Sequence, residues 1–225
     1  MPRSPRLVFN GAFYHVYNRG LNKQPIFLHD DDYQFFLDKL YKLKNKFDFS
    51  IYALVILPNH FHLSVQTRKI SISQIMACLG TSYSMYFNRT YHHLGPIFQN
   101  RFKSIIIEND AYFLQLSQYI YLNPVRAGLT INPLDYPYSS LGEALGKQPL
   151  RFLDEDIKRL VGETADSQRS FEKFIFEGID NNFSELEKLF SEEEAILGTP
   201  AFLTRSLKRQ MKRLKKRSSL DYHNK

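Results

Sequence analysis

An α+β fold is predicted for this chain: an antiparallel sheet with helices packed on one face, followed by a helical C-terminal extension. Three observations predict it. Stretches of two-residue alternation are separated by stretches with apolar residues at helical spacing. Two of the alternating stretches are joined by a two-residue turn. Beyond the turn-rich segment 128–149 the pattern is helical.

The elements follow in order. Phe13, His15 and Tyr17 alternate against Tyr14, Val16 and Asn18, which predicts a first strand. Asp30, Asp31 and Asp32 can cap a helix, with acids at the favourable end of its dipole. That helix runs to about Phe47, with Phe36, Leu40 and Leu43 on its apolar face. Residues 49–56 read as a second strand, Pro58-Asn59 as a turn, and the following residues as a third strand. On that strand His60, His62, Ser64 and Gln66 point one way, and Phe61, Leu63 and Val65 point into a core. Ser71 or Ser73 opens a helix carrying Ile75, Met76, Leu79, Tyr83, Tyr86 and Phe87. A loop around Gly95-Pro96 leads to a strand over 102–107. Asp110 caps the next helix, which is expected to stop at Leu122 or Asn123 because Pro124 interrupts it. The order β-α-β-β-α-β-α is that of a ferredoxin-like, split βαβ sheet. Further helices are expected to start near Asp154, Gln168, Ser184 and Pro200, and no internal repeat is visible.

Composition narrows the partners. The chain has 225 residues, 19 Phe and 14 Tyr but no Trp, and a net charge of +7. Over residues 1–140 there are 14 Lys and Arg against 8 Asp and Glu, whereas over 154–194 acids lead by 13 to 5. The run 205–217 is basic with no acid in it. A basic body with a basic tail favours a polyanionic partner, most naturally a nucleic acid. The single cysteine, Cys78, excludes an intramolecular disulfide and suits a reducing compartment. No apolar run approaches a membrane span, and the apolar stretch after the N-terminus is too short for a secretory signal. The expected location is the cytoplasm.

Two constellations carry chemistry. His60 and His62 lie about one strand repeat apart on one face, which lets both imidazoles reach a single metal ion; two histidines in a strand can equally be incidental. Tyr119 and Asn123 stand at i and i+4 on one helical face, so a hydroxyl and an amide can serve one site. Tyr121 is rotated by roughly 200° from Tyr119 and belongs elsewhere. Phe113, Leu116 and Ile120 form the stripe that would hold this helix on the sheet.

These motifs resemble a known family. His60-Phe61-His62 matches the histidine–hydrophobic–histidine (HUH) pattern of single-strand nucleases. Phe13-Tyr14-His15-Val16-Tyr17-Asn18-Arg19-Gly20, Leu57 to Leu63, Gly95 to Ser104, Gln118 to Leu129 and Tyr136-Pro137-Tyr138-Ser139-Ser140 resemble the IS200-like, REP-associated tyrosine transposases. The likeness covers roughly residues 8–142; Tyr138 stands where relatives often carry Trp, a change expected to affect packing only. The division it implies is an HUH-type catalytic domain over 1–149, an acidic helical extension over 150–204 and a basic tail over 205–225.

The resemblance implies a metal-dependent single-strand DNA endonuclease and strand transferase acting at hairpin-bearing repeats. Tyr119 would be the nucleophile, leaving a 5′-phosphotyrosine and a free 3′-hydroxyl. A tyrosine of pKa near 10 is only about 0.1% ionised at pH 7, so it needs help. A divalent ion, Mg²⁺ or Mn²⁺, held by His60 and His62 with Asn123 as third ligand, would supply it. Imidazole suits Mn²⁺ at least as well as Mg²⁺. Arg19, Arg101, Lys103 and Arg126 are the expected contacts to single-stranded or hairpin DNA. Lys208, Arg209, Lys212 and Arg213 join them from a basic amphipathic helix in the tail. The chain would work as a monomer or a homodimer. Two alternatives compete: a non-catalytic hairpin-binding regulator, and a metal phosphodiesterase that uses water in place of tyrosine.

Overall fold

In the computed structural model, which describes residues 8–208 apart from 109, 192, 193, 200, 203 and 207, the sheet is built around its first strand. β1 (Phe13–Arg19) is followed by α1 (Asp30–Phe47), β2 (Ser50–Leu57), β3 (His60–Gln66), α2 (Ile72–Thr90), β4 (Lys103–Ile107) and α3 (Asp110–Arg126). β1 pairs antiparallel with β3 on one side and β4 on the other, and β2 pairs antiparallel with β3. The strand order β2-β3-β1-β4 is the ferredoxin-like order that the sequence predicts. Its central strands are covered on both faces. Tyr14, Val16, Phe61, Leu63 and Val65 are buried beneath α1 and α2, with the Phe36 and Phe61 rings 4.8 Å apart. The opposite face carries His15, Tyr17, His60 and His62, and α3 closes over it, with the Tyr119 ring 5.4 Å from that of His62.

Local chemistry fixes the ends of these elements. The two-residue turn Pro58-Asn59 is held by the segment after β1: the Pro58 carbonyl accepts from Ile26 and Phe27, and the Asn59 carbonyl from Gly20. A Cβ at position 20 would lie 2.1 Å from the Gln24 carbonyl oxygen, so only glycine allows this return. Ser71 caps α2 by accepting from the Gln74 N–H. At α1 the N-cap residue is His29, and of the three aspartates it is Asp32 that satisfies the helix end. Its carboxylate is fully buried and accepts from the backbone N–H groups of Leu28 and His29 and from the hydroxyls of Tyr86 and Tyr91. One side chain thereby ties the start of α1 to the end of α2.

One expectation is corrected in this part of the chain. α3 does not end before Pro124 but runs through it to Arg126. The proline lies in the last turn, where its missing N–H forfeits a single helical bond. The helix then closes on Gly128 (φ 67°), whose N–H reaches the Val125 carbonyl while the Leu129 N–H reaches that of Pro124. Arg101 precedes β4, which starts at Lys103. Tyr121 is fully buried away from Tyr119, near Ser140 and the Tyr52 carbonyl, as its rotation predicts. The side chain of Asp110, and so its capping role, lies outside the described residues.

The segment 128–149 closes the free edge of β2, where the Ile56 N–H donates to the Tyr138 carbonyl and the Ser140 N–H to that of Leu54. Tyr138 stacks on Tyr33 at 3.7 Å, a packing role. After α4 (Leu141–Ala144) come α5 (Ile157–Val161), α6 (Ala165–Glu177) and α7 (Ser184–Ser191). α6 packs on α3 through buried Phe171 and Ile175, and Gln118 of α3 donates to the Phe174 carbonyl. A strand not anticipated in this stretch, β5 (Glu194–Leu197), pairs parallel with β4 and covers an edge that would otherwise stay open. Among the described residues, no helix is long and apolar enough to cross a membrane.

Asp32→Ala would leave four donors without their acceptor inside the protein. The expected loss is about 3 kcal/mol, read as a lower urea midpoint with an unchanged slope.

Candidate active site

The face between β3 and α3 opens into a cavity of about 520 Å³. His60 and His62 line it from β3, Tyr119, Asn123 and Arg126 from α3, Tyr17 and Arg19 from β1, and Lys103 from β4. Gln99, Asn100 and Arg101 complete one rim and Glu187 of α7 another. The register explains the convergence: Tyr17 stands opposite His62 on one side and Lys103 on the other, and Arg19 stands opposite His60.

The imidazoles are held by hydrogen bonds at their Nδ1 atoms. His60 Nδ1 lies 2.6 Å from Asn59 Oδ1. Asn59 spends its Nδ2 on the Lys23 carbonyl, so its oxygen faces the ring and His60 Nδ1 is the donor. His62 Nδ1 lies 2.8 Å from Nε2 of His15, a residue that is only 1% exposed. Burial depresses all three: His60 to about 4, His15 to about 3 and His62 well below the usual imidazole value. Each is neutral near pH 7, the form that ligates metals.

Tyr119 is 5% exposed, and burial, followed by the nearby Glu187 carboxylate, pushes its hydroxyl up to about 12. Arg126 and a hydrogen bond from Asn123 pull in the opposite direction. The Arg126 guanidinium lies 5.3 Å from the Tyr119 ring and 5.1 Å from that of Phe183, and pairs with Glu187 at 2.6 Å. Phe183 meets the Tyr119 ring edge-on at 5.5 Å. The C-terminal extension thus roofs the tyrosine with one aromatic ring and one carboxylate.

A divalent cation fits this donor set. Asn123 gives its Nδ2 to the Tyr119 carbonyl, which leaves Oδ1 as the atom its side chain can offer. Two neutral imidazoles and one amide oxygen suit a borderline ion such as Mn²⁺. Among the described residues no group of three His, Cys, Asp or Glu is placed to hold a metal ion, so His60 and His62 would need the Asn123 oxygen as a third donor. Three neutral donors would leave the charge of a bound ion uncompensated and so available to an anion.

The family model described as "Transposase IS200 like" matches residues 9–123, just over half of the chain. The chain belongs to the IS200-like transposase family. A protein of Haemophilus influenzae named for REP-associated tyrosine transposases is 30% identical over 105 residues, spanning 42% of this chain. The chain covers 60% of the length of that relative. Among solved structures, a REP-associated tyrosine transposase bound to a REP hairpin superposes with a TM-score of 0.56 at 23% identity, covering 70% of this chain and 93% of that one. That likeness is one of fold.

In this IS200-like chain the predicted residues His60, His62, Tyr119 and Asn123 converge on one cavity, and Arg19, Arg101, Lys103 and Arg126 line the same space. Lys208 is exposed and lies off the cavity. Arg209, Lys212 and Arg213 lie outside the described residues. Sequence reasoning missed His15, Tyr17, Phe183 and Glu187. For the first two a signal existed, because the ferredoxin-like order makes β1 the neighbour of β3. Nothing local marks Phe183 or Glu187.

The neutral histidines make stability depend on pH. Below about 6.5 the unfolded chain takes up protons that His15, His60 and His62 refuse in the folded state, so stability is complete above that value and falls as the pH drops towards about 4. Each contributes a slope of about 1.4 kcal/mol per pH unit within that window. Urea midpoints at pH 7 and pH 5 should show the fall, and His62→Gln should reduce it by about a third.

Proposed function

We propose that this chain is a metal-dependent single-strand DNA endonuclease and strand transferase that acts on hairpin-bearing repeats in the cytoplasm through a 5′-phosphotyrosine intermediate. The observation that carries the reading is the 5.4 Å approach of the Tyr119 ring to His62 across a cavity that His60 and Asn123 also line. A tyrosine hydroxyl, two imidazoles, an amide and a cationic rim occur there together, and such a reaction calls for groups of these kinds. The hairpin partner is supported by family membership and by the REP hairpin bound to the relative of like fold.

His60, His62 and Asn123 would hold a divalent ion, which supplies Lewis-acid polarisation of the scissile phosphate when bound. Arg19, Arg101 and Lys103 orient the single strand along the rim. Tyr119 Oη attacks the phosphorus as its proton passes to water; the new Oη–P bond forms while the P–O3′ bond breaks, and the 3′-oxygen takes up a proton from water. The phosphodiester energy stays in the phosphotyrosine, so a second 3′-hydroxyl can reverse the step and join strands without ATP. At a hydroxyl pKa of about 12, Tyr119 is neutral in the resting protein. Arg126 is the cation placed to favour its ionised form, provided it is released from Glu187.

One observation favours the hairpin-binding regulator as a second reading: Tyr119 is buried beneath Phe183 and the Arg126–Glu187 pair. A covalent-adduct assay separates the readings. Protein and labelled single-stranded hairpins from the flanks of its gene are mixed with Mn²⁺, Mg²⁺ or EDTA. The expected result is a denaturation-resistant adduct that needs metal, disappears in Tyr119→Phe and falls by 10²-fold or more in His60→Ala, on the order of one lost metal ligand. Cleavage without adduct, unchanged in Tyr119→Phe, would identify activated water as the nucleophile. Tight binding with neither product would favour the regulator.

A further inference from the structure

His15 lies beside the proposed metal ligands, takes no part in the mechanism above, and is almost fully buried on β1. Its Nε2 is 2.8 Å from Nδ1 of His62. The two rings are parallel to within 6° with centroids 5.0 Å apart. Parallel rings at that separation with so short a nitrogen contact lie edge to edge in a common plane, which is the geometry an N–H···N bond requires.

A neutral imidazole carries its proton on one nitrogen and a lone pair on the other, and the partner of one nitrogen decides what the other offers. His60 shows the arrangement: Asn59 Oδ1 accepts from its Nδ1. His62 has no asparagine in that place. Residue 63 points to the opposite face, and the atom that meets His62 Nδ1 comes from the neighbouring strand. We propose that His15 is a positioning residue for His62, its Nε2 accepting the Nδ1–H so that the ring is fixed in plane and tautomer and His62 Nε2 presents its lone pair to a divalent cation in the cavity. The inference rests on the proposed metal-dependent function for its purpose, but its geometry can be tested without metal.

The role explains why a polar ring is buried at position 15. Its strand neighbours on the other face, Tyr14 and Val16, belong to the apolar core. A leucine or phenylalanine would fill the layer next to Tyr119, whose ring is 6.4 Å away, but would leave His62 free to turn or to change tautomer. A carboxylate would fix the ring too, yet would add a buried negative charge to a site whose other donors are neutral. A histidine acceptor orients the ligand and keeps the donor set uncharged, so the ion's charge remains available to a phosphate.

The test is the tautomer of His62 in metal-free, ¹⁵N-labelled full-length protein, read by two-bond ¹H–¹⁵N correlation at pH 7.5. The expected result is the Nδ1–H form in wild type, retained in His15→Gln, whose amide oxygen reaches the same point, and lost or mixed in His15→Phe. An Nε2–H form in wild type would overturn the proposal even if every variant failed to fold. So would a His62 unchanged in folded His15→Phe. Mn²⁺ titration without DNA supplies the second readout: affinity should fall roughly 10- to 100-fold in His15→Phe and recover in His15→Gln. Equal loss in both variants, each matching wild type in thermal unfolding, would also overturn it. Failure of wild type to bind Mn²⁺ would count against the proposed function, while the tautomer would still decide the role of His15.

Discussion

The structure depends on a polar aromatic layer enclosed between the sheet and α3. His62 and His15 share a buried hydrogen bond, Tyr17 stacks on His62 at 4.9 Å, and Tyr119 closes over them from the helix. Burying imidazoles without partners would be costly, so this layer forms only where strand register and helix position satisfy it together. That requirement links elements distant in sequence. β1 must lie beside β3 in one register, because a slip of one residue would turn His15 and Tyr17 to the apolar face. α3 must run past its proline to Arg126, or the cavity would lose the guanidinium beside Tyr119.

The electrostatics follow from the same burial. The proposed ligands are neutral, the rim carries Arg19, Arg101 and Lys103, and the acid that enters the cavity, Glu187, is paired to Arg126. An anion that engaged Arg126 would compete with Glu187 for it. The extension is therefore joined to α3 by more than apolar packing, since its carboxylate and Phe183 meet the groups proposed to handle a phosphate.

What the sequence made legible was short-range. Alternation along the hairpin placed His60 and His62 on one face, and helical spacing put Tyr119 with Asn123 and apart from Tyr121; both arguments use periods that backbone geometry enforces. The ferredoxin-like order followed from the succession of elements. Features set by tertiary context were not legible. Pro124 reads as a stop signal, but a helix that is packed along its length and closed by Gly128 tolerates one missing bond. β5 has only four residues, too few for a period, and exists because β4 offers it an edge. The contact of His15 with His62 spans 47 residues, and that of Arg126 with Glu187 spans 61.

In the proposed reaction one ion, one tyrosine and one strand of DNA meet between β3 and α3. The most direct measurement is a crystal structure of the full chain with Mn²⁺ and a single-stranded hairpin from the flank of its gene, with anomalous scattering recorded for manganese. The expected result is a single strong peak contacted by His60, His62 and Asn123, with a backbone phosphate between that peak and the Tyr119 hydroxyl. Manganese held elsewhere, or a hairpin whose phosphates approach neither the peak nor Tyr119, would contradict it.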